Sequence, residues 1–110
     1  MKWNRIWKKL FVAAGILAVF AHAQAQDLLD TVRQRGSLRV ALEGTYPPFN
    51  FREKGQLVGF EVELAKALAA KLGVKAEFTT SEWSAILAGL QAGKYDVVIN
   101  QVTITDKRKE

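Results

Sequence analysis

Strand-like and helix-like periodicities alternate along this chain from Leu38 to Ile99, and that alternation leaves few folds open. Leu38, Val40 and Leu42 alternate with Arg39 and Ala41, the pattern of a strand with one face buried. Asn50 to Val58 reads as a small hairpin with Lys54-Gly55-Gln56 at its tip. A helix follows Gly59, with Phe60, Leu64, Leu68 and Leu72 repeating every fourth residue and Ala65 and Ala69 widening the stripe. Glu61 and Glu63 fall in its first turn, where the helix dipole favours negative charge, and Gly73 stops it. Val74, Ala76 and Phe78 then alternate as a second strand. Ser81 is the expected N-cap of a helix with the apolar stripe Trp83, Ile86, Leu87 and Leu90, which ends at Gly93. Asp96 to Ile99 makes a third strand. A short helix, Asp27 to Arg35, precedes the whole series. Two consecutive crossover units of this kind imply an α/β fold with a mostly parallel sheet covered by helices.

Ligands of open parallel sheets bind beyond the carboxyl ends of the strands, where the strand order reverses. If the first strand lies between the second and third, two loops flank that crevice. One is Glu43 to Phe49, a stiff loop that holds both prolines of the chain, Pro47 and Pro48. The other is Asn100 to Arg108, which opens what reads as a further helix. It offers backbone N–H groups, the Thr103 hydroxyl and the Arg108 guanidinium, the equipment for holding a small carboxylate.

The first residues read as an address. Lys2, Arg5, Lys8 and Lys9 precede an apolar run of 12 residues, Leu10 to Ala21, which is too short to span a membrane. Ala23-Gln24-Ala25 suits cleavage after Ala25, so residues 1–25 are expected to be a signal peptide and residues 26–110 the exported part. Most of the formal charge of +5 belongs to that segment. The remainder carries 12 basic and 11 acidic residues, a net +1 that gives no argument for nucleic acid. The one histidine, His22, lies in the same segment and the chain has no cysteine. Residues 26–110 therefore lack a Cys/His metal site, a Cys or His nucleophile and a disulfide, and no cofactor is expected.

Four blocks carry a resemblance. They are Tyr46-Pro47-Pro48-Phe49, then Gly59-Phe60-Glu61-Val62-Glu63-Leu64 with Leu68-Ala69 and Leu72, then Gly93 to Ile99, then Thr103-Ile104-Thr105 to Arg108. In this order and spacing they resemble the extracellular solute-binding proteins of family 3, the periplasmic amino-acid receptors of bacterial ABC importers. Leu42 to Phe49 and Val97 to Ile104 look most like the cystine-binding branch. The resemblance implies a type II periplasmic binding protein fold, of which residues 26–110 are the N-terminal portion of the first lobe. It implies a monomer that closes around a polar amino acid, catalyses nothing itself and docks on a membrane permease. A second lobe would supply the carboxylate for the α-ammonium.

Carried over by position, Arg108 clamps the ligand α-carboxylate and Thr103 gives it a hydroxyl and an N–H. The Gln101 carbonyl receives the α-ammonium. Tyr46 packs its ring on the ligand and Trp83 faces it across the pocket. Glu43 meets the distal end. Three of these keep a plainer reading beside the functional one. Tyr46 would otherwise only brace its loop, Trp83 also lies on the apolar stripe of its own helix, and Glu43 serves equally as a surface carboxylate. Phe49 reads as core, and Glu61 and Glu63, which point apart on their helix, need no role beyond the dipole. Two rival functions share the fold: a dehydratase-type enzyme, which would need a general acid or base beside Arg108, and the sensing module of a membrane receptor or kinase.

Overall fold

The structure is a computed structural model that describes residues 27–110, so the expected signal peptide lies outside the described residues. The fold below is that of the compact unit Thr31–Glu110. Of the preceding unit, Asp27–Asp30 is described. It begins the first helix, α1 (Leu28–Arg35), with the Asp27 carboxylate accepting from the Leu29 amide.

After α1 the elements run β1 (Ser37–Leu42), β2 (Thr45–Tyr46), β3 (Asn50–Glu53), β4 (Gln56–Val58), α2 (Phe60–Lys71), β5 (Lys75–Thr80), α3 (Trp83–Gln91), β6 (Val97–Val98) and a 3₁₀ turn, Asp106–Lys109. The main sheet has the order β5-β1-β6 and is parallel throughout. The first strand therefore does lie between the other two, as the switch-point argument required. β1 pairs with β5 from Ser37↔Lys75 to Leu42↔Thr80, and with β6 at Val40↔Val97 and Ala41↔Val98. The third strand is shorter than its sequence pattern. Ladder hydrogen bonds from Asp96 N to Arg39 O and from Ile99 N to Ala41 O still carry pairing to the expected limits.

The two faces of β1 feed two cores, because successive strand side chains point to opposite faces. Leu38 and Val40 pack with Val32 of α1 and with Ala65 and Ala69 of α2. Ala41 packs with Ile86 of α3 and with Tyr95. The Tyr95 hydroxyl donates to the Ile86 carbonyl, and Gly89 leaves room for it. A Cβ at position 89 would overlap the phenol.

The buried face of α2 differs from the sequence expectation. Val62, Ala65 and Ala69 are buried, whereas Phe60, Leu64 and Leu68 are 64%, 48% and 40% exposed. Ala65 and Ala69 share the core with Leu38 and Val40, and Leu72, at the end of the stripe, packs against it. Likewise Glu82, not Ser81, is the N-cap of α3.

The hairpin adds a second, antiparallel sheet, β2-β3-β4. Its two-residue tip holds Lys54 and Gly55 at φ 50° and 79°. Left-handed residues at both tip positions match the twist of the flanking strands. The Tyr46 loop, read from the sequence as a stiff loop, contributes β2 by pairing Thr45↔Phe51 and Tyr46↔Asn50.

Asp96 pins β1, β6 and the end of α1 together. Its side chain is fully buried and accepts from Arg35, from the Arg39 backbone at 2.8 Å and from the Arg39 guanidinium at 3.2 Å. Asp96→Asn should cost about 2 kcal/mol, because a charge-assisted acceptor becomes a neutral amide beside two arginines. Urea unfolding checks this, and a loss below about 0.5 kcal/mol would refute it.

Candidate ligand-binding site

The carboxyl ends of β1 and β6 carry the loops singled out by the sequence. Glu43 follows β1, and Asn100 and Gln101 follow β6. Their backbones are joined by side chains. Asn100 Oδ1 accepts from the Glu43 amide at 2.8 Å, and Asn100 Nδ2 donates to the Glu43 carboxylate at 3.0 Å. Beside them, Asn50 Oδ1 accepts from the Gly44 amide at 2.6 Å, and Asn50 Nδ2 donates to both Asn100 Oδ1 and Glu61 Oε1. Glu61 Oε2 accepts from the Gln101 amide at 2.8 Å. Asn50, Glu61 and Asn100 are all buried. A buried polar group is costly unless paired, and here every member has a partner.

Trp83 opens α3 and is 40% exposed; Ile86 takes the core position of that stripe instead. The Arg108 guanidinium carbon sits 5.3 Å from the Trp83 ring centroid, within cation–π range. Arg108 Nη1 donates to the Thr103 carbonyl at 2.9 Å, and the Arg108 amide is held by the Thr105 hydroxyl and carbonyl. Glu43 and Trp83 together line an open depression of about 290 Å³ with Thr45, Thr80, Ser81 and Glu82. Its walls carry two carboxylates, three hydroxyl-bearing residues and an indole. A larger recess of about 740 Å³ lies against the apolar flank of α3 and β6, lined by Leu87, Leu90, Val98 and Val102, with Arg108 at its border.

Of the six residues expected to contact a ligand, Trp83, Thr103 and Arg108 are joined by contacts, the Thr103 link through its backbone carbonyl, and Glu43 lines the same depression as Trp83. Gln101 joins by its backbone through Glu61 and the two asparagines, and its side chain is exposed. Tyr46 stands 43% exposed, one residue beyond the Thr45 wall. Its ring is tilted against Phe49 with centroids 5.2 Å apart, so Phe49 braces the loop that presents Tyr46. Phe49 is half-buried and does not enter either core cluster.

Asp106–Lys109 forms a 3₁₀ turn, with Thr105 as its N-cap and Asp106 in its first turn. Glu63 is exposed and pairs with Lys66, which suits a dipole role. Glu61 is the residue that sequence reasoning undervalued. It sits 3% exposed in the first turn of α2 and ties two loops together. Among the described residues, no group of three or more His, Asp or Glu side chains is arranged to hold a metal ion, and no helix is long and apolar enough to cross a membrane.

The chain is 54% identical over 86 residues to the L-cystine-binding protein TcyJ of Escherichia coli strain K12, covering 77% of this chain and 32% of that protein. Among solved structures, an ancestral amino-acid-binding protein described as a precursor of cyclohexadienyl dehydratase is 49% identical with a TM-score of 0.73. The match covers 76% of this chain and 37% of that one. The L-cystine solute receptor of Neisseria gonorrhoeae, in its unliganded open conformation, is 43% identical with a TM-score of 0.70, covering 76% and 36%. The chain spans about a third of the length of such relatives. The profile of the bacterial extracellular solute-binding proteins, family 3, matches residues 38–110. With a parallel β5-β1-β6 sheet flanked by helices and four signature blocks in order, this chain belongs to the bacterial extracellular solute-binding proteins of family 3.

Proposed function

We propose that this chain is the N-terminal part of the first lobe of a periplasmic receptor that captures a polar amino acid, cystine before others, for the permease of an ABC importer. Residues 1–25 would direct export and be removed after Ala25. The observation that carries the reading is the Arg108 guanidinium, stacked on Trp83 and braced by the Thr103 carbonyl, beside a depression walled by Glu43 and Glu82. A planar guanidinium matches a carboxylate in two parallel hydrogen bonds. A carboxylate-walled hollow suits an ammonium. Cystine carries an α-carboxylate and an α-ammonium at each end, with an apolar disulfide between them that an aromatic face can cover. In this reading Arg108 and Thr103 grip one carboxylate and the Gln101 carbonyl takes the adjoining ammonium. Tyr46 and Trp83 cover the stem, and Glu43 meets the far ammonium. The receptor makes and breaks no bond; a second lobe completes the pocket and closes over it. The relatives that bind L-cystine support the choice of ligand.

Calorimetry on the full-length mature receptor is the test. Cystine should bind more tightly than arginine or glutamine. Binding of either of those with no response to cystine would sink the assignment. An enzymatic reading also has a specific support, the likeness to a dehydratase precursor. Release of water from a cyclohexadienyl substrate by the same preparation would favour it over the receptor.

A further inference from the structure

We infer that Glu61 is a positioning residue for the ligand loop: a buried carboxylate on α2 that holds the Gln101 peptide in the orientation the bound amino acid requires. The inference rests on the amino-acid-receptor reading and adds to it a residue outside the ligand-contact set. Its observation is geometric. Gln101 has φ 51°, a left-handed conformation that a non-glycine residue adopts only when its surroundings impose it. Its side chain is exposed and makes no hydrogen bond among the described residues, so the restraint acts through its backbone. The single partner of that backbone amide is Glu61 Oε2, at 2.8 Å.

Glu61 is itself well held. Its amide donates to the Phe49 carbonyl at 2.8 Å, and its other carboxylate oxygen accepts from Asn50 Nδ2 at 2.9 Å. It sits on a twelve-residue helix that is packed on the sheet through Ala65 and Ala69. The anchor is thus on a rigid element and the anchored peptide is in a loop. Through Asn50 and Asn100 the same carboxylate reaches the Glu43 and Gly44 amides, so one side chain sets the loop after β6 relative to the loop after β1. A dipole role alone would not need burial. Glu63, in the same helical turn, is exposed and pairs with Lys66 on its own helix.

Hydrogen exchange and calorimetry on the full-length receptor test this together. In the ligand-free wild type the Gln101 amide should be protected. Exchange at the rate of a free loop amide would overturn the inference without any variant. Glu61→Gln turns one acceptor into an amide donor facing another donor. It should accelerate Gln101 exchange and weaken amino-acid binding by about tenfold to a hundredfold, the scale of one unsatisfied buried group. Glu63→Gln removes the same charge from the same turn and should leave both within twofold. Faster exchange in Glu61→Gln with unchanged affinity would overturn the positioning role, as would equal losses in the two variants. If the wild type bound no amino acid at all, the receptor reading would fall instead, which separates the two failures.

Discussion

Arg108→Ala should weaken amino-acid binding about a hundredfold or more, with the fold unchanged. The magnitude follows from two charge-assisted hydrogen bonds to one carboxylate, at roughly 1.5–3 kcal/mol each. The fold should tolerate the change because Arg108 lies in an exposed turn, outside both core clusters. Its main structural contact, Nη1 to the Thr103 carbonyl, leaves behind an acceptor that water can reach. Arg108→Lys makes the sharper comparison. It keeps the charge near Trp83 but loses the planar fork, so it should recover only part of the affinity. Calorimetry on the full-length receptor, with circular dichroism melts as the control for folding, reads both. Affinity in Arg108→Ala within threefold of wild type would remove Arg108 from the clamp.

The sequence carried the fold well because periodicity reports which face is buried, and both crossovers were long enough to show it. Strand order was only assumed from the sequence, and the β5-β1-β6 sheet has the assumed order. On α2 the stripe was read in part: Ala65, Ala69 and Leu72 meet the core, whereas Phe60, Leu64 and Leu68 are exposed. The polar network was out of reach for a different reason. Glu61 and Asn50 are eleven positions apart, and Asn50 and Asn100 fifty. Nothing in a single sequence says that a carboxylate in a first helical turn faces inward. The same holds for Asp96, whose partners Arg35 and Arg39 lie on other elements. The expected ligand residues were named by resemblance, and the geometry adds contacts among three of them, Trp83, Thr103 and Arg108, that spacing alone could not have given.

Gly59→Ala should destabilise the protein by about 4 kcal/mol, and should disturb the loop after β6 along with the fold. Gly59 is the N-cap of α2, with φ 123° and ψ 174°, a region open essentially to glycine alone. It makes no side-chain cap. The first two N–H groups of the helix are satisfied instead by backbone: Phe60 donates to Pro48 O at 3.2 Å and Glu61 to Phe49 O at 2.8 Å. That arrangement brings the Pro48-Phe49 backbone against the Gly59 Cα. A Cβ there would overlap the Phe49 carbonyl oxygen and lie 2.7 Å from its carbon and 2.9 Å from Pro48 O. These are backbone atoms and cannot rotate aside. Relief must therefore move either the proline loop or the start of α2, and both movements break the substitute cap. Moving the start of α2 also withdraws Glu61 from Asn50 and from the Gln101 amide. Urea unfolding of the full-length receptor measures the first effect and Gln101 hydrogen exchange the second. A loss below about 1 kcal/mol would mean that the loop yields freely. In that case the Pro47-Pro48 segment would not be the stiff wall on which both the helix start and the Tyr46 ring depend.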